Sequence, residues 1–498
     1  MNVMMLLEMA SQGFGDRVAF TNGEDSITYQ ELFESAGAAA AEIRNSGCDH
    51  VAMLDVSSLA MPIALFASAW AGVPYVPINY RLTAAEINAL LERVQPCMLI
   101  TSADRVAQYS DRPGILTSSR EQFISAARAG SPLEAPWSMD QEDTGVLLFT
   151  SGTTGAPKAA VLRQKHLVSY VLGSVEFMSS TAEDAALGCV PPYHIAGISA
   201  ILSSVYSGRR LVQLPNFTAA DWITLVNREK ITNAFVVPTM LARIVEAVGE
   251  DSSVAMPSLR ALAYGGGKMP LAVIERAMQL FPNADFTNAY GLTETSSTIA
   301  VLGPQDHRHA AASEDPATRK RLVSVGRPLP GVEVEIRDDD GKVLSAGERG
   351  EIYVRGEQVS GEYVGKGSLL DSAGWFPTRD AGLIDEEGFL FLEGRTDDVI
   401  VRGGENMSPG EIEDVLLEHA AVSDVAVVGI PDEQWGEAVA AAVIAKPGKQ
   451  VEVRELQEWV RDRMRSSRVP QVIQFWSELP YNETGKLLRR SVKAKLSQ

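Results

Sequence analysis

The chain has 498 residues, 45% of them apolar and 22% charged, a size and balance that call for two or more folded units with sizeable cores. Its 44 Lys and Arg against 64 Asp and Glu leave a formal charge of −20, which excludes a protein that holds nucleic acid through a basic face. Cys48, Cys97 and Cys189 show no C-x-x-C spacing, so neither a disulfide framework nor a zinc site is expected, and the reducing cytoplasm is the expected setting.

The opening MNVMMLLEMA is apolar but has no basic residue before Arg17, and so lacks the n-region of a secretory signal. YQELFESAGAAAAEIRNSG, VAMLDV and PIALFASAWAG then read as helix, strand and helix. Leu59 to Ile78 is free of charge, yet its prolines and glycine divide it into a helix, a turn and a strand of a buried core, not a membrane span. From Asp143 to Gly291 short β-branched runs alternate with amphipathic segments: GVLLFT strand, QKHLVSYVLGSVEFM helix, RRLVQLP strand, DWITLVNREK helix, NAFVVP strand, TMLARIVEAVG helix, and the cycle repeats through ADFTNAYG. That alternation predicts βαβ units and a mostly parallel sheet covered by helices on both faces.

After Val325 the texture changes to short strands joined by D-D-G and E-E-G turns, which predicts a small β-barrel subdomain. After Gly394 a compact tail follows, with helix PGEIEDVLLEH, strands VSDVAVVGI and AVAAAVIA, and helix VRELQEWVRDRM. The expected architecture is therefore α/β: a large N-terminal domain of βαβ-wound sheets over 1–394, including the β-rich subdomain at about 325–394, then a small mobile α+β domain over 395–498.

The stretch LLFTSGTTGAPKAAVL sets four hydroxyls, two glycines and Lys158 between two strand-like runs. Hydroxyls and open backbone N–H groups with one cation suit a polyphosphate, although Pro157 rules out a Walker A loop and the composition alone fits an ordinary hairpin equally well. YGLTET, from Tyr290, adds an aromatic ring, a hydroxyl and the Glu294 carboxylate, and one carboxylate beside a polyphosphate suits Mg²⁺. YGGG, from Tyr264, ends a strand where glycines would let a flat base approach the backbone. FPTRD (376–380), GRTDDVIVRGGEN (394–406) and NETGK (482–486) complete the set.

In type, order and spacing these motifs resemble the adenylate-forming superfamily of acyl-CoA synthetases, peptide-synthetase adenylation domains and firefly luciferase, over essentially the whole chain. The resemblance implies that Thr150, Ser151, Gly152, Thr153, Thr154, Gly155 and Lys158 hold the ATP β- and γ-phosphates. Tyr290, beside Gly291, would lie along the adenine and Asn288 would face its edge, while Gly265, Gly266 and Gly267 would wall the adenine and acyl pocket. Thr293 would touch phosphate, Glu294 would bind Mg²⁺, and Asp380 with Arg395 would hold the ribose hydroxyls. Lys486 would be the catalytic cation at the α-phosphate, whereas a lone lysine near a C-terminus is ordinarily a solvated charge.

The same resemblance makes Asp397 the hinge of a domain rotation and sets Gly403 and Gly404 beside a thiol tunnel. It gives Trp435 a stacking role for coenzyme A and Arg81 a contact with CoA phosphates; a core tryptophan and a surface ion pair are the competing readings. His194 would gate the carboxylate site, against a core histidine. YHIAGIS has no acid to pair an α-ammonium, which argues against an amino-acid substrate.

Departures from the usual pattern are Arg379 in place of glycine in T-G-D, Ala159 after the loop lysine, and Ser467-Arg468 in place of an aromatic-Lys pair. The implied activity is an ATP-dependent acid–CoA ligase acting on an apolar fatty or aryl acid, with ATP, Mg²⁺ and CoA required. Delivery to a carrier protein's phosphopantetheine, arrest at acyl-AMP, and a non-catalytic scaffold are the alternatives, and a homodimer is left open. The apolar pocket segments 190–204, 234–240 and 264–269 favour an apolar acid, with Lys268 and Arg243 available for a second polar group.

Overall fold

The computed structural model describes residues 1–150, 157–249, 256–402, 405–432, 434–482 and 487–497, with backbone only at Asp397, Glu405 and Asn406. Two large sheets carry the N-terminal part, where the sequence pattern predicted a parallel sheet. One runs through nine strands from Arg327–Pro328 at one edge to Asp25–Thr28 at the other; the second runs through eight, from Gly367–Ser368 to Ile115–Ser119. Both have a run of parallel strands; the first is antiparallel at both edges, the second only at the edge that ends in Gly367–Ser368.

Side-chain alternation explains the layering, since successive strand residues point to opposite faces. In His50–Leu54, Val51 and Met53 join a core that also holds Phe20 and Leu211 of the other sheet, while Ala52 and Leu54 face an outer cluster with Ile87 and Leu91. Helices Tyr29–Ser46, Ala60–Ala71 and Ile195–Ser207 therefore fill the space between the sheets. Thr28 starts the first of these with a capping box to Glu31, and Gly47 ends it in the left-handed conformation. Ala60–Ala71 is buried at every residue, as its uncharged composition predicted, and Pro62 sits in its first turn where no intrahelical N–H is lost. No helix among the described residues is long and apolar enough to cross a membrane.

The β-rich region is an antiparallel sheet of four strands, in the order Val332–Arg337, Gly350–Gly356, Phe376–Ile384 and Leu390–Arg395. This corrects the expected barrel: the strands follow an open path, and one face closes on Tyr290, Ile299 and Ala300 of the large sheet instead of on itself.

The C-terminal residues form a five-stranded sheet, from Ile400–Arg402 and Glu405–Met407 through Val422–Asp432 and Gly436–Ala445 to Val472–Phe475. Its core is separate, built on Ile412, Val427, Val439 and Leu456. Mostly polar contacts tie it to the larger part. Lys268 Nζ lies 2.6 Å from Asp414 and donates to Gly410 O at 3.2 Å. Arg349 pairs with Glu393 at 3.0 Å and with Glu411, which also takes Arg468. The Lys268 and Asp414 side chains are about half exposed, so that pair contributes on the order of 0–1 kcal/mol.

Candidate active site

Thr150 and Lys158, on either side of the hydroxyl-rich stretch, are opposite each other in the antiparallel pair Thr144–Thr150 and Lys158–Arg163. Both line one continuous cavity of about 1860 Å³. Ser151, Gly152, Thr153, Thr154 and Gly155 lie outside the described residues. The short strand Glu362–Tyr363 pairs with this hairpin at Ala160 and brings the Tyr363 ring 5.6 Å from Lys158 Nζ. The Tyr363 hydroxyl donates to Glu294. Burial and the Glu294 charge push this phenol far above its ordinary pKa, so it remains a donor at any physiological pH. Thr293 and Glu294 form a single 3-10 turn and also line the cavity.

That turn ends the strand Asp285–Leu292, whose alternation sorts the expected nucleotide residues. Thr287, Ala289 and Gly291 face the cavity; Asn288 and Tyr290 face away and are buried. Asn288 Nδ2 donates to Ser324 O at 2.8 Å, and the Tyr290 hydroxyl donates to Asp380 at 2.6 Å. Burial, then the Asp380 charge, holds the Tyr290 phenol well above its ordinary pKa. Arg395 donates to the same Asp380 at 3.0 Å and to Thr378 O at 3.1 Å. Asn288 and Tyr290 thus lie on the face of the strand opposite Thr287, Ala289 and Gly291, with Tyr290 on the same Asp380 that Arg395 holds. Arg395 itself lines the cavity.

The glycines have structural reasons of their own. A Cβ on Gly265 would stand 2.1 Å from Ala289 O, and one on Gly291 would stand 1.8 Å from Ser297 O, so adjacent strands, not a bound base, require glycine at both. Gly266 lines the cavity and Gly267 is exposed in the turn beyond it. Arg379, standing where glycine is usual, lines the cavity with φ +63, in the left-handed region that costs a side-chain-bearing residue roughly 1–2 kcal/mol.

Below the polar chamber the cavity continues as a tunnel between the large sheet and helix Ile195–Ser207. Cross-strand rows explain it: Ala186, Asn233 and Ala261 are in register, as are Phe235, Ala263 and Thr287. These rows line the cavity together with Ser199, Ala200, Ser203 and Ser204 of the helix, and the alanines and serines among them leave space between helix and sheet. His194 stands at the head of this helix with its Nε2 buried and unpartnered. Burial lowers its pKa to about 4, so it is a neutral imidazole at the mouth of the tunnel.

Other expected residues divide. Tyr481 and Leu487 form a β-bridge, and both line the cavity with Asn482, so the ends of the segment carrying Lys486 are at the site; Lys486 itself is outside the described residues, as are Gly403 and Gly404. Asp397 falls in the turn Thr396–Asp398, its side chain not described. Trp435 is 45% exposed with the Arg402 guanidinium 5.7 Å from its ring, which excludes the core reading. Arg81 is exposed beside Tyr80. Lys268 and Arg243 do not reach the acyl pocket: Lys268 holds Asp414 and Arg243 is exposed. Sequence reasoning missed Tyr363, Arg489 and Arg209, all cavity-lining and all without a motif. Arg489 is held by Glu413 at 2.8 Å.

Comparison with known proteins places this geometry. A family model for AMP-binding enzyme matches residues 7–364, and one for the AMP-binding enzyme C-terminal domain matches residues 411–486. The chain belongs to this family of adenylate-forming enzymes. It is 31% identical to a 2-succinylbenzoate–CoA ligase of Bacillus licheniformis over 96% of both chains. To a fatty acid–[acyl-carrier-protein] ligase of Streptomyces coeruleorubidus it is 32% identical, over 94% of this chain and 91% of that one. An o-succinylbenzoate CoA synthetase of Bacillus subtilis, solved in complex with ATP and magnesium ion, superposes with a TM-score of 0.84 at 29% identity, covering 98% of this chain and 99% of that one.

Replacing Arg379 with glycine is expected to raise the unfolding free energy by about 1 kcal/mol, read as a higher urea midpoint at unchanged slope. The His194 pKa is about 4 folded and ordinary, near 6.5, unfolded, so unfolding takes up a proton in that window and the histidine's contribution is lost as pH falls through it. The drop in urea midpoint between pH 7 and pH 5 should therefore be smaller in His194→Phe than in the parent.

Proposed function

We propose that this chain is an AMP-forming acid–CoA ligase that activates an apolar fatty or aryl carboxylic acid. The observation that carries the reading is convergence on one cavity: the ends of the hydroxyl loop at Thr150 and Lys158, the Thr293–Glu294 turn, Arg395, and both ends of the Lys486 segment, with a tunnel leading away past His194.

In the first half-reaction a carboxylate oxygen attacks the α-phosphorus of ATP, the bond to the bridging oxygen breaks, and pyrophosphate leaves. The loop Thr150–Gly155 and Lys158 hold the β- and γ-phosphates, and Thr293 a phosphate oxygen. Asp380, oriented by Tyr290 and Arg395, accepts from the ribose hydroxyls. Glu294 is suited to Mg²⁺, which uses one or two carboxylates with phosphate oxygens and, when bound, neutralises charge on the leaving group. Tyr363 keeps that carboxylate aimed at the chamber. Lys486 stabilises charge growing on the α-phosphate and carboxylate oxygens. Neutral His194 borders the carboxylate without placing a competing cation there.

In the second half-reaction a thiol sulfur attacks the acyl carbonyl, AMP leaves, and the thiol proton passes to solvent. The domain 395–498 turns about Asp397 against the body 1–394, bringing Gly403 and Gly404 to the site. The weak surface pair of Lys268 with Asp414 is compatible with that exchange. Trp435, exposed beside Arg402, offers a stacking face to CoA, and Arg81 a charge to its phosphates. Free Cys48, Cys97 and Cys189 fit a reaction in the reducing cytosol. A carrier protein's phosphopantetheine is the second reading, favoured by the likeness to the Streptomyces ligase.

The test is acid- and CoA-dependent AMP formation with Mg-ATP across aryl, short, medium and long-chain acids, with pyrophosphate followed separately. Lys486→Ala is expected to lower pyrophosphate release by roughly a hundredfold or more, the scale of losing one positioned transition-state donor. Trp435→Ala should raise the KM for CoA several-fold and leave pyrophosphate release unchanged. Pyrophosphate without CoA consumption would assign the acyl group to a carrier and remove Trp435 and Arg81 from the site.

A further inference from the structure

The cavity runs far along the large sheet. Its lining follows one face of three neighbouring strands, Asn233–Val236, Ala261–Gly265 and Asp285–Leu292. On that face Asn233, Phe235, Ala261, Ala263, Thr287 and Ala289 are partly open, while the alternate residues Val236, Leu262 and Tyr264 are buried in the core on the other side. Strand register gives the depth. Ala261 is level with Asp285, six residues before Gly291, which puts it roughly 20 Å from the chamber end of the strand. The helix is a second ruler: its lining positions run from Ile195 to Ser204, roughly 14 Å at the standard rise.

A single aromatic ring would fill only the part nearest the chamber and leave the rest void, forfeiting the contacts of the walls. An extended alkyl chain advances about 1.2 Å per bond, as an extended backbone does, and reaches the Ala261 row after about twelve to sixteen carbons. Each methylene it buries is worth about a fourfold gain in binding. The floor leaves room for it, since Ala186, Ala261 and Ala263 each present one methyl group. Polar groups in the lining already have partners within the protein. Asn233 accepts from Thr232 at 2.7 Å, Ser199 donates to Ala196 O at 3.1 Å, and Arg209 has Ser180 at 3.2 Å with the Asp184 charge acting on it. None of the three calls for a second polar group on the acid.

We propose that the acid is an unbranched fatty acid of about twelve to sixteen carbons, and that Ala261 and Ala263 are the specificity-determining residues that set its length. The two face the same space one pleat repeat apart, roughly 7 Å, or about five to six carbons of extended chain. A bulky side chain at Ala261 closes the far end of the cavity. The same side chain at Ala263 closes it one repeat sooner. The inference deepens the ligase reading and rests on it.

The experiment measures acid-dependent pyrophosphate release with the saturated series from butanoic to octadecanoic acid and with benzoic acid, in the parent, Ala261→Phe and Ala263→Phe. In the parent kcat/KM is expected to rise about fourfold per methylene to an optimum between dodecanoic and hexadecanoic acids. Benzoic acid should lie roughly a hundredfold or more below that optimum. Ala261→Phe should move the optimum to shorter acids, and Ala263→Phe should move it about five carbons further. General damage to the fold would lower every acid together and leave the optimum in place. A parent that prefers benzoic acid, a profile flat in chain length, or variants whose optima do not fall in that order overturns the inference and leaves the ligase standing. If the Phe variants fail to fold, Ala263→Leu and the parent's own profile decide. No pyrophosphate release with any acid overturns both readings.

Discussion

The site depends on one strand, Asp285–Leu292, and on how closely its neighbours approach it. Gly265 and Gly291 let the backbones on either side come within a distance that a single methyl would block. With that spacing set, the pleat sends Ala289 and Gly291 into the cavity and Tyr290 to Asp380, and the chain turns at once to present Thr293 and Glu294. The cavity face, the contact to Asp380 and the Thr293–Glu294 turn are therefore spaced by a single rigid element. A loop could not hold three such groups in register.

Two phenols act as fixed donors around this strand. Tyr290 and Tyr363 each give a hydroxyl hydrogen to a carboxylate, and burial keeps each protonated. The fold itself thereby holds both carboxylates in one orientation. The small C-terminal unit is attached differently, chiefly by ion pairs at its edge with a core of its own.

Much of the fold was legible because the period of apolar residues is a local property. The alternation from Asp143 to Gly291 was read as strands and helices that the structure contains, and the uncharged run Leu59 to Ile78 does divide into the helix Ala60–Ala71 and the strand Tyr75–Pro77. The barrel expected after Val325 was not legible, because whether four strands close on themselves or on a neighbouring sheet depends on the surface they meet. Lys268 was placed near the acyl pocket on proximity in sequence to Gly267, yet its side chain crosses to Asp414. Tyr363 and Glu294 are 69 residues apart and Tyr290 and Asp380 are 90 apart, so no spacing rule joins them.

By itself the sequence determined the chemistry available: a hydroxyl-rich loop with Lys158, the carboxylates Glu294 and Asp380, and the family motifs in order from the Pro-Ile-Asn-Tyr-Arg segment to Lys486. These are properties of residue type and local spacing. Only the tertiary structure decided which of them face the chamber. It turned Asn288 and Tyr290 away from the cavity-facing side of their strand and brought Tyr363 to Glu294. The reason is physical: a strand's pleat offers two equivalent faces, and only the packing of helix against sheet, with its small residues opposed, makes one of them a cavity.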